Sequence, residues 1–348
     1  MMNETEFLQQ LVAIRSLSGE EQAVAAFLVG QMGRLGLAAW VDGAGNAVGV
    51  RQGAGPEERE VVLLGHMDTV PGEVAVRVEN GRLYGRGSVD AKGPLAAFVQ
   101  AAARADLRPG TRVVVIGAVE EEAATSKGAR FAAAHYQPDY CIIGEPSGWD
   151  GVTLGYKGRL LVDYTLTQPM GHTAGPEVGV AETAVSWWNQ LSYYIEQYNA
   201  SRPRLFDQLL PSLRDMGCHS DGLHNTAFLK IGVRLPPDFD SEGFATQLQA
   251  WAGEAQIVTY AGEPAFQTSR SDPLARLFNR ALRQQGAEPH YKLKTGTSDM
   301  NVVGPIWQCP IVAYGPGDSQ LDHTPNEHVV IEEYLQSVAV LQTVLEGL

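Results

Sequence analysis

The chain has 348 residues, with 26 lysines and arginines against 40 aspartates and glutamates, which gives a formal net charge of −14. The length suits one large domain or two smaller ones, and a hydrophobic content of 44% provides a sizeable core, which argues against wholesale disorder. The acidic balance, without a block rich in lysine or arginine, argues against nucleic acid or an anionic membrane as the main partner.

Three further features favour a cytoplasmic protein. The chain has no apolar run near the roughly 18 residues of a membrane span, and its first ten residues lack the basic and apolar segments of a secretory leader. The cysteines Cys141, Cys218 and Cys309 are widely spaced and form no CxxC motif. That pattern fits reduced core residues better than a disulfide framework.

The first part of the chain predicts a helix near residues 19–35. Ser18 and Glu21 have the spacing of a capping box, and Gly36 follows the apolar-periodic run as a helix end would. Four short apolar runs rich in Val and Ile come later, at Val61–Gly65, Arg112–Val119, Tyr140–Gly144 and Pro310–Tyr314. Continuous runs of this kind are typical of strands buried on both faces, so they predict a mostly parallel sheet covered by helices.

Helical patterns between these runs indicate the α/β class. Pro94–Ala105 is one such pattern, with Pro94 suited to the first helical position, and Asp272–Gln285 is another. Strands that alternate with helices in this order predict an α/β domain with a mostly parallel central sheet.

From about residue 157 to residue 268 the pattern changes. Alternating segments predict strands at Leu160–Thr167, Phe228–Leu235 and Ala255–Tyr260, and amphipathic segments predict helices at Glu182–Tyr198 and Glu242–Ala252. A strand-helix-strand-strand-helix-strand pattern indicates a compact α+β domain. We therefore expect residues 1–156 and 269–348 to form a catalytic metal-binding domain, interrupted by an inserted domain at 157–268.

Histidines and carboxylates follow the buried strands. The residues concerned are His66 and Asp68, Glu120–Glu122, Glu145, and Asp322 with His323, and Asp90 precedes the helix that contains Pro94. The carboxyl ends of strands form the ligand-binding edge of an open α/β sheet, so these side chains are expected to meet at one rim.

Two imidazoles with several carboxylates and no thiolate suit Zn²⁺ or a similar divalent ion. The number of carboxylates exceeds what one tetrahedral ion needs, which favours a two-metal site bridged by a short carboxylate, for which Asp90 is the candidate. Asp68 can fix the orientation of the His66 imidazole. Each motif alone is also typical of a surface pair, an acidic helix start or an ordinary turn. Their co-occurrence after successive strands favours the metal site.

Longer segments of the sequence resemble a known family. They are Gly65–Pro71 (GHMDTVP), Tyr84–Gly93 (YGRGSVDAKG), Glu120–Glu122, Gly144–Ser147 (GEPS) and His323–Glu327 (HTPNE). These segments resemble the signatures of the dinuclear zinc aminoacylase/carboxypeptidase family, the M20 peptidases, which includes acetylornithine deacetylase and succinyl-diaminopimelate desuccinylase. The resemblance implies a zinc-peptidase-like catalytic domain and a ferredoxin-like inserted lid and dimerisation domain.

The resemblance also implies a cofactor of two divalent metal ions, zinc or cobalt, held by five ligands. Asp90 would bridge the ions, with His66 and Glu145 on one ion and Glu122 and His323 on the other.

The implied reaction is metal-assisted hydrolysis of an amide. Glu121 resembles the family's general base, although Glu120 stands where the family pattern has Asp. Asp68, which can orient the His66 imidazole, is predicted to be a catalytic residue together with Glu121. His172 resembles a histidine that reaches the active site of the partner subunit and stabilises the oxyanion, which implies a homodimer.

Four further residues resemble substrate contacts of the family, namely Asn225, Arg234, Gly296 and Thr297. Residues 143–158 resemble one branch in particular, whose members release lysine, and in some cases ornithine, from the terminal glutamate of a small acidic carrier protein in amino-acid biosynthesis. Two alternatives remain open: a deacylase or dipeptidase acting on small molecules, and a non-catalytic metal-dependent binding protein.

Overall fold

The computed structural model describes residues 3–172 and 175–348, which form two compact units. Unit 1 contains the chain up to residue 155 together with residues 267–293 and 298–348. Unit 2 contains residues 156–266 and the short segment 294–297. Catalytic and lid roles for these units are predictions from the sequence.

The helices and strands are numbered in chain order. The helices are α1 (Glu4–Ala13), α2 (Gln22–Arg34), α3 (Lys92–Arg104), α4 (Lys127–His135), α5 (Val180–Asn199), α6 (Ser241–Ala250), α7 (Pro273–Gln284), α8 (Asp299–Trp307) and α9 (Ile331–Gly347). The first eight strands are β1 (Ala38–Val41), β2 (Ala47–Gln52), β3 (Arg59–His66), β4 (Arg77–Glu79), β5 (Arg82–Tyr84), β6 (Thr111–Ala118), β7 (Tyr140–Gly144) and β8 (Gly151–Tyr156). The other strands are β9 (Gly158–Pro169), β10 (Leu210–Ser220), β11 (His224–Leu235), β12 (Gln256–Glu263), β13 (Phe266–Gln267), β14 (His290–Lys294), β15 (Ile311–Ala313) and β16 (His328–Val330).

Seven strands of the nine-stranded main sheet follow the order β1-β2-β6-β3-β7-β15-β8. Its four central strands, β6, β3, β7 and β15, are parallel to one another. Residues 61–66 of β3 are buried on both faces of the sheet, and α3 is buried over most of its length beneath it. This mostly parallel, helix-covered sheet confirms the α/β fold that the apolar runs predict.

The N-terminal region differs from the prediction in two ways. A helix that the sequence analysis missed, α1, precedes the predicted one, and α2 begins at Gln22. Glu21 is the N-cap of α2 without a side-chain hydrogen bond to the helix, so the predicted capping box of Ser18 and Glu21 is wrong. Gly36 does end this helix, with a φ of +88° that glycine adopts at no steric cost.

Helix α3 begins two residues earlier than predicted, at Lys92, so Pro94 is its third residue and not its first. A proline is still tolerated there because the first amide groups of a helix have no partner within the helix.

Unit 2 is built on a four-stranded antiparallel sheet of order β10-β11-β9-β12. Buried residues of α5 and α6 pack against it, among them Trp187, Leu191, Phe244 and Leu248. The order of elements β9-α5-β10-β11-α6-β12 is the α+β pattern expected from the sequence. Strand β10 was not among the predicted segments, because it lies at the sheet edge and alternates poorly.

Among the described residues, no helix combines the length and the apolar composition needed to cross a lipid bilayer.

Candidate active site

The carboxyl ends of neighbouring parallel strands bring the predicted side chains of unit 1 together. Strand β3 ends at His66, which pairs in register with Ala118 at the end of β6. On its other side, Gly65 of β3 pairs with Gly144 at the end of β7, one residue before Glu145. Parallel strands in register place the residues that follow them at one edge of the sheet.

Asp90 lies between two imidazole rings. Its Oδ1 is 3.1 Å from Nε2 of His66, and its Oδ2 is 3.0 Å from Nε2 of His323. His323 Nε2 is also 2.9 Å from Oε1 of Glu122. One short carboxylate therefore faces two different imidazoles with its two oxygens.

Two groups of potential ligand atoms share His66. His66, Asp90 and Glu122 have ligand atoms within 4.8 Å of one another, and so do His66, Glu121 and Glu145. With His323 in contact with Asp90 and Glu122, all five predicted metal ligands and the predicted base converge on this edge.

The donor chemistry of this cluster fits divalent cations. Four carboxylates and two imidazoles converge without a thiolate, a set that suits zinc and related ions. The formal negative charge of the carboxylates is concentrated in a largely buried space, where repulsion between like charges is strong. Bound cations would neutralise it, so the residues present fit a two-metal site.

The pKa values show the same crowding. Burial raises the pKa of Glu121 well above its usual range, and the neighbouring carboxylates of Glu145, Asp299 and Glu122 add to the rise. Hydrogen bonds to Asp90 and Glu122 raise the pKa of His323 to about 10. The crowded carboxylates thus favour the protonated forms of the Glu121 side chain and of the His323 imidazole.

Asp68 organises the backbone and the ring around this cluster, and it is fully buried. Its Oδ1 accepts from the backbone N–H of Glu121 and its Oδ2 from that of Glu122, each at 3.1 Å. Nδ1 of His66 lies 3.1 Å from the backbone carbonyl of Asp68 and 3.5 Å from its Oδ1. Asp68 therefore connects the end of β3 with the segment Glu120–Glu122 after β6, which we call the acidic loop.

Glu120 stands apart from its two neighbours. Its backbone has a φ of +58°, in the left-handed region that non-glycine residues seldom adopt. Its carboxylate accepts a hydrogen bond from Thr125 at 2.7 Å and lies 3.6 Å from Nζ of Lys127. The structure thus brings Glu121 and Glu122 into the cluster and directs the Glu120 side chain elsewhere.

Sequence reasoning missed Glu327 and Arg86, which connect two loops of the site. Glu327 is fully buried, and its Oε1 accepts from the backbone N–H groups of Val89 at 3.0 Å and Asp90 at 3.2 Å. Its Oε2 accepts from Nη1 of Arg86 at 2.6 Å. The segments that resemble the family contain both residues, but nothing in their spacing indicates that they are paired.

The remaining predicted residues belong to unit 2. His172 is exposed, and it lines a cavity of about 720 Å³ together with Asn225. Nη1 of Arg234 donates to Oγ1 of Thr297 at 2.6 Å, and the Thr297 hydroxyl donates to the carbonyl of Lys157 at 2.9 Å. A Cβ added to the neighbouring Gly296 would meet no atom within 4 Å.

Comparisons with known proteins identify the family of this chain. Residues 62–347 match the model of a family described as Peptidase family M20/M25/M40. The chain is 47% identical to the [LysW]-lysine hydrolase of Deinococcus radiodurans, over 99% of this chain and 96% of that one. It is 40% identical to a putative [LysW]-lysine/[LysW]-ornithine hydrolase of Pyrococcus furiosus, over 98% and 95% of the two chains. A solved tripeptidase from Staphylococcus aureus has the same fold, with a TM-score of 0.79 and 18% identity over 100% of this chain and 99% of that one.

Proposed function

Because this chain belongs to peptidase family M20/M25/M40, we propose that it hydrolyses the amide that joins lysine to the LysW carrier protein. The family is metal-dependent, and the chain is a metal-dependent amidohydrolase. The observation that carries the choice of substrate is the 47% identity, over 99% of the chain, to a curated [LysW]-lysine hydrolase. The reaction would release lysine at the end of a biosynthetic route that uses a protein carrier.

We infer that the cofactor is a pair of divalent ions, zinc in the first instance and cobalt as a functional substitute. His66 and Glu145 would hold one ion, Glu122 and His323 would hold the other, and Asp90 would bridge them. The position of the Asp90 carboxylate, with one oxygen facing each imidazole, supports this assignment. When bound, the two ions supply Lewis acidity toward the amide carbonyl and the attacking water.

The base of the reaction is Glu121. Its Oε2 lies 4.0 Å from Nε2 of His66, at the edge of the ligand cluster. Glu121 removes a proton from the water that attacks the amide carbonyl and passes that proton to the leaving nitrogen as the C–N bond breaks. Asp68 holds the backbone of Glu121 in place during both transfers.

The contacts with the acyl group and with lysine come from unit 2. His172 donates to the oxygen that becomes negative in the tetrahedral state, and it does so in the partner subunit of a homodimer. Asn225 lines the same cavity as His172, which supports a shared role at that site. Arg234, Gly296 and Thr297 bind the substrate, and the hydrogen bond between Arg234 and Thr297 fixes the guanidinium.

The test is a comparison of substrates with the zinc-loaded protein. Release of amino acid is measured from carrier-linked lysine, carrier-linked ornithine, N-acetyl-lysine and N-acetyl-ornithine at matched concentrations. We expect kcat/KM for carrier-linked lysine to exceed that for N-acetyl-lysine by roughly 100-fold or more, because contacts with the remote carrier contribute to transition-state binding.

Two results would contradict this proposal. Rapid turnover of the acetylated amino acids with no release from the carrier would identify a small-molecule deacylase. No turnover of any amide by protein that has bound metal would favour a metal-dependent binding protein.

A further inference from the structure

The segment between α1 and α2, residues 14–21, is attached to the active site by a series of hydrogen bonds; we call it the strap. Oγ of Ser16 donates to the carbonyl of Met67 at 2.7 Å, and N–H of Thr69 donates to the carbonyl of Ser16 at 2.8 Å. Leu17 and Thr69 form a parallel β-bridge. The strap therefore runs beside the residues that directly follow the end of β3.

Ser18 of the strap contacts the residue that organises the acidic loop. Its Oγ donates to Oδ2 of Asp68 at 2.6 Å. The same Oδ2 accepts from the backbone N–H of Glu122, and the Oδ1 accepts from that of Glu121. A carboxylate that receives several hydrogen bonds is fixed in orientation, and so are the groups that donate to it.

Glu21 contacts the acidic loop directly. Its side chain is 4% exposed, and its Oε1 accepts from the backbone N–H of Glu120 at 3.0 Å. Glu120 is the residue with the left-handed backbone, a conformation that persists where surrounding contacts over-determine it. Glu21 supplies one of these contacts, immediately before the two carboxylates of the cluster.

We propose that Ser18 and Glu21 are positioning residues of the active site, which hold Asp68 and the backbone of Glu120 so that Glu121 and Glu122 face the metal positions. The inference rests on the proposed function for its catalytic consequence. Its structural content, the placement of Glu121 and Glu122, is testable by metal binding alone.

The first test compares substitutions of nearly equal size that differ in their hydrogen-bonding capacity. Glu21→Met removes the acceptor, whereas Glu21→Gln retains an amide oxygen at the same place. Ser18→Ala removes the donor, whereas Ser18→Thr retains a hydroxyl. Glu20→Ala is the matched control, since Glu20 belongs to the same strap but is exposed and pairs with Arg15 on the surface.

The primary readout is titration of the metal-free protein with Co²⁺, followed by the visible absorption of the bound ion. We expect Glu21→Met and Ser18→Ala to weaken Co²⁺ binding by roughly 10- to 100-fold, the usual effect of losing a residue that supports a metal ligand. Glu21→Gln and Ser18→Thr should restore most of the affinity and the wild-type spectrum. Glu20→Ala should match the wild type.

The second readout is lysine release from the carrier by fully metal-loaded protein. We expect Glu21→Met to lower kcat by roughly 10- to 100-fold with little change in KM, because a small displacement of catalytic groups affects the chemical step. Thermal unfolding of each variant separates this effect from a loss of folded protein.

Wild-type affinity and spectrum in Glu21→Met and Ser18→Ala would overturn the inference, and so would equal impairment of Glu21→Met and Glu21→Gln. Failure of the proposed function has a different signature. In that case the wild type binds Co²⁺ but releases no lysine from the carrier, and the Co²⁺ titration still decides the roles of Ser18 and Glu21.

Discussion

At the scale of single residues, the roles proposed for Asp90 and Glu121 follow from the lengths and the contacts of their side chains. Asp90 has little freedom, because its side chain is short and its two oxygens face His66 and His323 at about 3 Å. A short carboxylate suits a bridge between two ions, whereas the longer side chain of Glu121 suits a group that must exchange a proton with substrate atoms. Burial and nearby carboxylates raise the pKa of Glu121, which increases its affinity for a proton.

Replacement of Glu121 by Gln tests the base directly. The amide keeps the shape of the side chain but cannot accept the proton, so kcat should fall by roughly 10²- to 10⁴-fold. Because Glu121 is not among the five proposed ligands, the variant should still bind two metal ions per chain. The measurement is lysine release together with metal content after dialysis.

Glu120→Gln is the matched comparison, since the Glu120 carboxylate contacts Thr125 and Lys127 and not the cluster. We expect a far smaller loss of kcat than in Glu121→Gln. Retained turnover in Glu121→Gln, or a larger loss in Glu120→Gln, would contradict the assignment of the base.

At the scale of elements, the site depends on loops that are fixed by buried polar contacts. The loop before α3 contains Asp90 and the loop before β16 contains His323, and the Glu327–Arg86 pair connects them. The Glu327 side chain is 1% exposed and the Arg86 side chain is 14% exposed, so neither charge is well solvated. A buried ion pair is costly to break when its carboxylate also accepts hydrogen bonds from the backbone, as Glu327 does.

Glu327→Ala should therefore lower the free energy of unfolding by roughly 3–5 kcal/mol, because it removes the buried carboxylate partner of the Arg86 guanidinium and the acceptor of two backbone N–H groups. The measurement is urea unfolding of the metal-free protein. Glu79→Ala is the control, since the Arg77–Glu79 pair is about half exposed and should contribute less than about 1 kcal/mol. Equal costs for the two variants would show that the Glu327 contacts do not stabilise the loops.

At the scale of the whole molecule, the sequence predicts the parallel sheet and the residues at its edge because continuous apolar runs have few alternative interpretations. It also predicts the α+β pattern of unit 2. The spacing of Ser18 and Glu21 predicts a capping box, whereas in the structure these side chains contact Asp68 and the backbone of Glu120. The same residue types at the same spacing are compatible with either role, so the sequence alone does not distinguish them. The Glu327–Arg86 pair was missed because a contact over 241 residues leaves no local pattern.

At the centre of the proposed function is a pair of metal ions, which the Asp90 carboxylate would bridge. The most direct measurement is a titration of the chelator-stripped protein with Zn²⁺, in which bound metal and lysine release from the carrier are followed together. We predict negligible activity without metal, binding of two ions per chain and full activity when both are bound. Full activity in the stripped protein, or saturation of binding and activity at one ion per chain, would contradict it.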